Sequence, residues 1–338
     1  MCVWISYRMM SGNKSSSFGG HNRHCPRVDM RVKNLVTKGA GDRPKQIHQI
    51  QFGTLTSDEI CRTSELPVTS GQLFVMPSRA PAAGGCLDPH LGVSDKKSKC
   101  QTCGLSLQDC SGHFGHIRLA RPVFHIGYIR HTYAFLQCIC KSCSRVLLPD
   151  GMERNAILRK MRSPNLDNLQ KEAVFTKSVH EKCKKAKQCP HCGAINGQVK
   201  KMAGVPTLKL VHEKYKGRHA EDELEDLVSN LHYTLSLQTG PMAASPPVYL
   251  DDLLPTIVLE LFQKIPDEDC EVLGVRPHLG RPENLIIQSI AVPPVSIRPS
   301  VAMDMGGGSN EDDLTVQLQE IINVNVALEM ALTKGIFQ

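Results

Sequence analysis

The sequence predicts an α+β fold that bound metal ions stabilise. Cysteine and histidine residues recur at metal-ligand spacing between positions 100 and 192, and segments with strand and helix patterns lie on both sides of them. The chain has 338 residues, of which 41% are hydrophobic, so it is long enough to bury one large core or two modest ones.

The hydrophobic segments exclude a membrane-spanning class of protein. None approaches the roughly 20 uncharged apolar residues that cross a bilayer, because even the apolar run at 255–262 is interrupted by Glu260. The first ten residues reach Arg8 before an apolar stretch of signal-peptide length develops. We therefore expect no membrane contact and a reducing compartment, in which cysteines bind metal more readily than they form disulfides.

Residues 1–45 are predicted to be a disordered N-terminal extension. The stretch SGNKSSSFGGHNRH is polar and rich in glycine and serine, so it offers too little apolar surface to offset the entropy of ordering. From Ile47 the pattern changes. IHQIQF alternates apolar and polar residues like a strand, and Thr56 to Glu59 resemble the start of a helix.

The first predicted metal site lies in the segment CQTCGLSLQDCSGH. Its four ligands are Cys100, Cys103, Cys110 and His113. Zinc takes four such ligands in a tetrahedron, and a two-residue gap lets one tight turn present two of them to the same ion. Gly104 and Gly112 allow the backbone to curl around the metal at these turns.

The second predicted site combines two distant pairs, in CKSC and in CPHCG. Its ligands are Cys140, Cys143, Cys189 and Cys192. Each pair is preformed locally, so a ribbon-like zinc site tolerates the 45 residues between the pairs. Four other side chains near the two sites are competing ligands that we expect to be bystanders: Cys138, Cys183, His116 and His191.

Both sites are expected to be structural. A catalytic zinc keeps one position open for water, whereas these ligand sets are complete. A cross-brace, as in the RING domains of ubiquitin ligases, would exchange ligand pairs between the sites. The six-residue gap after Cys103 is too short for that motif, and the 26-residue gap after His113 is too long.

The charge pattern divides the remaining chain into a basic metal-binding part, residues 46–219, and an acidic helical part, residues 220–338. Residues 96–219 carry 24 basic and 7 acidic side chains, a net charge of +17, whereas residues 220–338 carry 5 and 19, a net charge of −14. The basic part is predicted to contain a helical insertion, with helices over 153–161 and 168–186. Its charge indicates either a surface that faces nucleic acid or a solvated lysine-rich face.

The acidic part is predicted to contain helices over 221–235 and 250–265, an extended segment at VPPVSIRPS, and a long C-terminal helix. Asn310 to Asp313 open this last helix with carboxylates, and Lys334 and Gly335 close it. Its apolar stripe, from Leu314 to Leu328, needs a packing partner that the remaining residues do not supply. We therefore expect the chain to be a fragment.

Several ordered motifs resemble the amino-terminal clamp of the largest subunit of multisubunit RNA polymerases. They are LDPHLGV, CQTCGLSLQDCSGHFGHIRLA, PVFHIGYI, LQCICKSC, CPHCGAINGQVKK, VPPVSIRPSV and SNEDDLTVQLQEI. The resemblance covers about Ile47 to Gly335. Because of VFHIGYI, CPHCGAINGQVKK and the ending ALTKGI, the chain is most similar to eukaryotic RNA polymerase III within that family.

The resemblance implies a zinc-stabilised clamp with zinc-ribbon-like knuckles and long helices, which works in the nucleus with the other polymerase subunits. The clamp holds template DNA and the RNA–DNA hybrid, its two zinc ions are structural, and the eight ligands above match the family's ligand positions. The last helix is implied to be the first arm of a helical hairpin. The catalytic Mg²⁺ belongs to an Asn-Ala-Asp-Phe-Asp-Gly-Asp loop of the full-length subunit, which this chain does not contain, so we expect no polymerisation by this chain alone.

Seven basic residues close in sequence to the second site are candidates for contact with DNA: Lys141, Arg145, Lys184, Lys185, Lys187, Lys200 and Lys201. Two other functions remain open at this point. An independent zinc-binding adaptor, or a module like a ubiquitin ligase, would use the same metal sites without other polymerase subunits. A redox enzyme would instead need reactive, metal-free thiols in its CxxC pairs.

Overall fold

The computed structural model describes residues 5–8, 49–203, 208–215, 249–302 and 309–335. The chain separates into two units, residues 1–55 and 56–338. In the first unit, strand β1 (Ile5–Arg8) pairs antiparallel with strand β2 (Gln49–Phe52). The predicted strand at 47–52 is thus present from Gln49. β1 lies within the extension that the sequence predicts to be disordered, and the rest of that extension lies outside the described residues.

The second unit mixes helices and strands, which confirms the α+β prediction. Its helices are α1 (Ser57–Thr63), α2 (Ile129–Cys138), α3 (Met152–Arg162), α4 (Asn168–Val174), α5 (Glu181–Lys185), α6 (Pro255–Gln263), α7 (Asp267–Val272) and α8 (Asp313–Thr333). Its strands are β3 (Leu66–Pro67), β4 (Phe74–Val75), β5 (Ala80–Pro81), β6 (Gly115–Phe124), β7 (Gln198–Ala203), β8 (Leu208–Tyr215), β9 (Tyr249–Asp252), β10 (Ile286–Val292), β11 (Val301–Ala302) and β12 (Ser309–Asn310). No helix in these described ranges is long and apolar enough to cross a membrane.

Strand β6 is the centre of a three-stranded sheet. β10 pairs with it antiparallel, with Ile290 opposite Ile117, and β3 pairs with it parallel through Leu66 and Gly115. A side chain at Gly115 would approach the Leu66 carbonyl oxygen to 3.0 Å and Leu91 to 2.9 Å. Glycine is therefore needed where β6 begins, directly after the first metal-ligand segment.

The long helix α8 packs on this sheet. Leu318 and Ile322, one turn apart, are buried in a core that also contains Ile117 and Val292. The Asn325 side chain accepts a hydrogen bond from the N–H of Ala120 and donates one to a β6 carbonyl. The sheet thus supplies part of the partner that the predicted apolar stripe needs.

Arg298 connects the segment before α8 to that helix through hydrogen bonds. Its guanidinium is fully buried and donates to the carbonyl oxygens of Pro293 and Cys86 and to the hydroxyl of Thr315 in α8. Burial lowers the pKa of Arg298. The segment VPPVSIRPS was predicted to be extended, but Val295–Ile297 form a 3-10 turn inside it, which brings Arg298 to these acceptors.

The larger core is formed by α2, α3, α6 and α7 around the second metal-ligand segment. Phe135 of α2 and Phe262 of α6 meet edge to face, with ring centroids 6.4 Å apart. Ile139 and Val146, on both sides of the CKSC turn, are fully buried in the same cluster. The metal-ligand turn is therefore built into the main core.

The predicted helical insertion is present with one irregularity. α3 includes the predicted 153–161 helix, and the predicted 168–186 helix consists of α4 and α5 joined by a π-helical segment, Phe175–His180. Asp167 and Gln170 form a capping box at the start of α4. The helix predicted over 221–235 lies outside the described residues.

The helix predicted over 250–265 begins later than expected. Tyr249–Asp252 form strand β9, which pairs with β8, and α6 begins at Pro255. Leu254 has an extended ψ of 151°, as the residue before a proline prefers, so the helix cannot extend backward through it. Apolar periodicity alone did not reveal this boundary.

Asp269 joins three parts of the larger core. Its carboxylate is fully buried, pairs with the guanidinium of Arg154 in α3, and accepts the N–H of Val146 at 3.0 Å. Arg154 also pairs with Asp150 at 2.6 Å. From the sequence alone, the acidic run at 267–269 is interpreted as a loop. This interpretation is wrong, because these residues open α7 and the third carboxylate faces inward.

Replacing Asp269 with alanine is expected to lower the free energy of unfolding by about 3 kcal/mol, because it leaves the Arg154 guanidinium buried without its main partner. Urea unfolding of the metal-loaded protein measures this. Glu268→Ala is the matched control, since that side chain is 76% exposed and lies 4.0 Å from Arg154. We expect a loss of less than about 0.5 kcal/mol for the control. Equal losses for the two variants would contradict the role of Asp269.

Candidate metal centres

Three Cys-x-x-Cys turns have the same backbone hydrogen bonds. In the first, the N–H of Cys100 donates to the carbonyl of Leu105 at 3.0 Å and the N–H of Gly104 donates back to Cys100 at 2.8 Å. The turns that begin at Cys140 and Cys189 repeat both bonds within 0.2 Å. Each turn thus presents its two thiols on one side, before any metal is considered.

The residue after the second cysteine of each turn is in the left-handed region. Gly104 has a φ of 69° and Gly193 a φ of 71°, a conformation that glycine adopts without strain. Ser144 occupies the equivalent position in the CKSC turn with a φ of 59°. Its hydroxyl is buried and has no hydrogen-bond partner among the described residues.

The first cluster brings together the four ligands predicted from CQTCGLSLQDCSGH, and their ligand atoms all lie within 4.8 Å of one another. Cys100 and Cys110 are buried, whereas Cys103 faces solvent. The Sγ of Cys110 lies 3.7 Å from the Nε2 of His113. Gly112, with a φ of 86°, turns the chain between these two residues.

The second cluster brings together the two distant cysteine pairs, again with ligand atoms within 4.8 Å of one another. The Sγ atoms of Cys140 and Cys192 are 3.6 Å apart, and those of Cys143 and Cys189 are also 3.6 Å apart. Each of these short distances lies between a cysteine of the CKSC turn and a cysteine of the CPHCG turn. After the helical insertion, the chain therefore returns to the pair Cys140 and Cys143.

Both clusters fit a tetrahedral metal ion. Bonds of about 2.3 Å from one ion to four sulfur atoms place neighbouring sulfurs about 3.8 Å apart. The sulfur–sulfur distances of 3.6 Å in the second cluster agree with this edge length, and in the first cluster the sulfur of Cys110 lies 3.7 Å from the ligand nitrogen of His113. Each cluster has four ligands and no disulfide, so either one could hold a metal ion with a closed coordination shell.

Within each cluster the thiols differ in acidity. A hydrogen bond from His113 and one from the backbone at Leu105 lower the pKa of Cys103 to about 6, whereas burial raises that of Cys110 to about 11. In the second cluster a backbone hydrogen bond at Ala194 lowers the pKa of Cys192 to about 7, and burial raises that of Cys143 to about 12. The solvent-facing cysteine is thus the first thiolate available to a metal.

The four competing side chains lie outside both clusters. His116 bonds the Ser64 hydroxyl at 2.5 Å, and His191 bonds the Val146 carbonyl oxygen at 3.1 Å. Cys138 and Cys183 are fully buried in the larger core. A hydrogen bond from Cys183, together with burial, raises the pKa of Cys138 well above its usual value, which keeps that thiol protonated.

The residues that support the second cluster are not evident from sequence spacing. His191, interpreted from the sequence only as a competing ligand, bonds Val146 and lies 3.8 Å from Asp150. Asp269 holds the N–H of the same Val146. No local spacing links these residues, since Asp269 is 123 positions away from Val146 in sequence.

The seven basic candidates lie in two kinds of environment. The ammonium of Lys141 donates to the carbonyl oxygen of Ile139 and to Asn196, and burial lowers its pKa to about 8. Arg145 and Lys200 have carboxylate neighbours. The other four are exposed, and three of them line a common cavity; these four are Lys184, Lys185, Lys187 and Lys201.

Replacing Cys103 with serine is expected to lower the metal content from two ions to about one, because the first cluster loses a ligand. Elemental analysis of the purified protein measures the metal-to-protein ratio. Cys138→Ser is the control, since Cys138 lies outside both clusters, and it should retain two ions. A ratio that stays at two in Cys103→Ser would show that the ligand assignment is wrong.

Replacing Ser144 with glycine is expected to stabilise the protein by about 0.5 to 1 kcal/mol, because glycine relieves the left-handed strain and removes a buried, unpaired hydroxyl. Thermal or urea unfolding of the metal-loaded protein measures the change. Gly193→Ser at the equivalent turn should instead lower the stability. A Cβ there meets no atom within 4 Å, so the loss comes only from the strained backbone. A loss of stability in Ser144→Gly would refute this account.

Comparison with known proteins identifies the family. Residues 44–338 match the family described as RNA polymerase Rpb1, domain 1. The chain is 46% identical over 285 residues to DNA-directed RNA polymerase III subunit rpc1 of Dictyostelium discoideum, covering 84% of this chain and 19% of that protein. It is 39% identical over 298 residues to the corresponding human subunit RPC1, covering 87% of this chain and 21% of that protein.

The similarity extends to an archaeon. The chain is 35% identical over 292 residues to DNA-directed RNA polymerase subunit Rpo1N of Methanocaldococcus jannaschii, covering 86% of this chain and 19% of that protein. The chain spans about a fifth of the length of these curated relatives. Both metal clusters lie within the matched region. The chain therefore belongs to the family of RNA polymerase Rpb1 proteins, of which it contains domain 1.

Proposed function

We propose that this chain is the N-terminal clamp part of the largest subunit of DNA-directed RNA polymerase III. In this role it contributes to transcription in the nucleus by holding template DNA and the RNA–DNA hybrid. The observation that carries the proposal is the presence of two complete four-ligand clusters inside a segment that matches Rpb1 domain 1. Identities of 39% to 46% to polymerase III subunits favour class III.

The two metal ions are zinc, and their role is structural. Sulfur-rich sets of four ligands suit zinc, and neither set leaves a position for a reacting water. The second ion joins Cys140 and Cys143, which are integral to the larger core, to the turn that begins at Cys189. Zinc thereby closes the helical insertion onto the core and makes this part of the clamp rigid.

The chemistry of nucleotide transfer lies outside this chain. The sequence contains no Asn-Ala-Asp-Phe-Asp-Gly-Asp loop, and the inward carboxylate of Asp269 is occupied by Arg154 and Val146. The catalytic Mg²⁺ is therefore assigned to the full-length subunit. The chain's own contribution is to support the shape and charge of the clamp.

The exposed side of α8 fits the first arm of the clamp's helical hairpin. Leu318 and Ile322 face the sheet, whereas Val324 is 68% exposed and Met330 is 53% exposed. A returning helix that packs along α8 would bury these side chains. The last helix would then be held on one side by the sheet and on the other by the second arm.

An independent zinc-binding adaptor is the alternative function, and co-purification distinguishes the two. Affinity purification of the tagged protein from its own cells, in a buffer of moderate ionic strength, should recover the other polymerase subunits at stoichiometric levels, as measured by quantitative mass spectrometry. Cys140→Ser should reduce this recovery, because the clamp depends on the second zinc. Cys61→Ser, which changes a thiol outside both clusters, is the control.

Recovery of the protein without polymerase subunits, under conditions in which a known polymerase subunit retrieves the complex, would rule out the clamp assignment and favour the adaptor.

A further inference from the structure

A basic cavity of about 490 Å³ lies between the end of α5 and the start of β7. Glu181, Lys184, Lys185, Ala186, Lys187 and Gln198 line it. Three lysines and one glutamate give its lining side chains a net charge of +2. A smaller cavity of about 140 Å³ shares Lys184 and Gln198 with it and continues to Lys200. The two cavities adjoin at these shared residues.

Three of the seven basic candidates have protein acceptors close to their cationic groups. Lys141 donates to Ile139 and Asn196 at 2.9 and 3.0 Å. The guanidinium of Arg145 lies 3.5 Å from Asp150 and from Asp269. Lys200 lies 2.8 Å from a carboxylate oxygen of the buried Glu213. These cations stabilise the fold, and a phosphate would have to compete with groups already in place.

The three lysines of the larger cavity differ from these. Lys184, Lys185 and Lys187 are exposed, and the structure assigns them no carboxylate within 4.0 Å among the described residues. Lys184 and Lys185 also lie in the last turn of α5, where cations complement the helix dipole. That role does not account for Lys187, because this residue follows the helix. The backbone of Lys187 is held by a hydrogen bond from the N–H of Asn196 to its carbonyl oxygen, at 2.8 Å.

We propose that this cavity binds the phosphodiester backbone of a nucleic-acid strand. The inference rests on the proposed function and assigns its nucleic-acid contact to a specific site. Lysine is a point charge on a flexible stem, so it binds phosphate without demanding one orientation. Such contacts are independent of base sequence, which suits a surface that every transcribed template must cross.

The geometry favours a strand over a free phosphate ion. A single phosphate is usually held by backbone N–H groups at a helix N-terminus or by the paired donors of arginine. Here the three lysines come from a helix C-terminus and the segment after it, and all of them line the larger cavity, which meets the smaller cavity at Lys184. A distributed row of positive charge matches the repeated charge of a nucleic-acid backbone.

The test uses polymerase purified from cells whose subunit carries Lys184→Gln, Lys185→Gln and Lys187→Gln together. Each lost phosphate contact reduces the slope of log K against log salt by about 0.7 to 0.9. Raising the salt concentration from 50 to 200 mM weakens scaffold binding by both enzymes. The factor by which the affinity for a template–RNA scaffold falls should be about 20 to 40 times smaller for the triple variant than for the unmodified enzyme. Lys187→Gln alone, outside the helix, should reduce the slope by about one third as much.

The matched control is Lys160→Gln, Lys177→Gln and Lys264→Gln, which removes three charges from exposed lysines outside both cavities. Both triple variants should retain the zinc content and the unfolding temperature of the unmodified enzyme. An equal change of slope in both would show a general charge effect and overturn the site. An unchanged slope in the cavity variant would overturn it too, while intact assembly and DNA binding would leave the proposed function standing.

Two further outcomes would also overturn the inference. Loss of another polymerase subunit from the cavity variant, with an unchanged salt slope, would show that an acidic protein occupies the cavity. Tripolyphosphate that binds the unmodified enzyme but not the cavity variant, without any change in scaffold affinity, would show a site for free polyphosphate.

Discussion

The buried carboxylate of Asp269 is the constraint on which the larger core depends. It neutralises Arg154, which is only 4% exposed, and it fixes the N–H of Val146 beside the CKSC turn. A buried ion pair gains little over an apolar pair of the same shape, but removing one partner is costly. Its consequence here is positional: α3, α7 and the second metal cluster are held in one arrangement, although they lie far apart in sequence.

In the metal clusters, by contrast, the conformation of the turns is determined by residues close together in sequence. Three Cys-x-x-Cys turns of different sequence share the same pair of backbone hydrogen bonds and a left-handed residue at the same position. The ligand sets could therefore be predicted from spacing, and the structure brings together the same eight side chains. Ser144 shows where the local rule is overridden, because a strained serine persists in the turn that the core surrounds most closely.

Helices with clear start signals were also predictable, as the capping boxes at Thr56 and Asp167 show. The failures share a physical cause. The start of β9 depends on pairing with β8, the 3-10 turn before Arg298 depends on acceptors in distant segments, and the inward direction of Asp269 depends on Arg154. Each is decided by a tertiary contact, which local periodicity and composition do not contain.

Tertiary contacts also decide which charged side chains are paired and which are exposed. The +17 of residues 96–219 predicts attraction to phosphate, but only the folded chain shows which cations are already paired. Lys141 and Lys187 are equally basic in the sequence, yet the first donates to two protein acceptors and the second lines an open cavity. Pairing connects the second metal cluster to the core, whereas the lysines that line the cavity are exposed. Contacts within the core and exposed positive charge thus come from different members of the same basic segment.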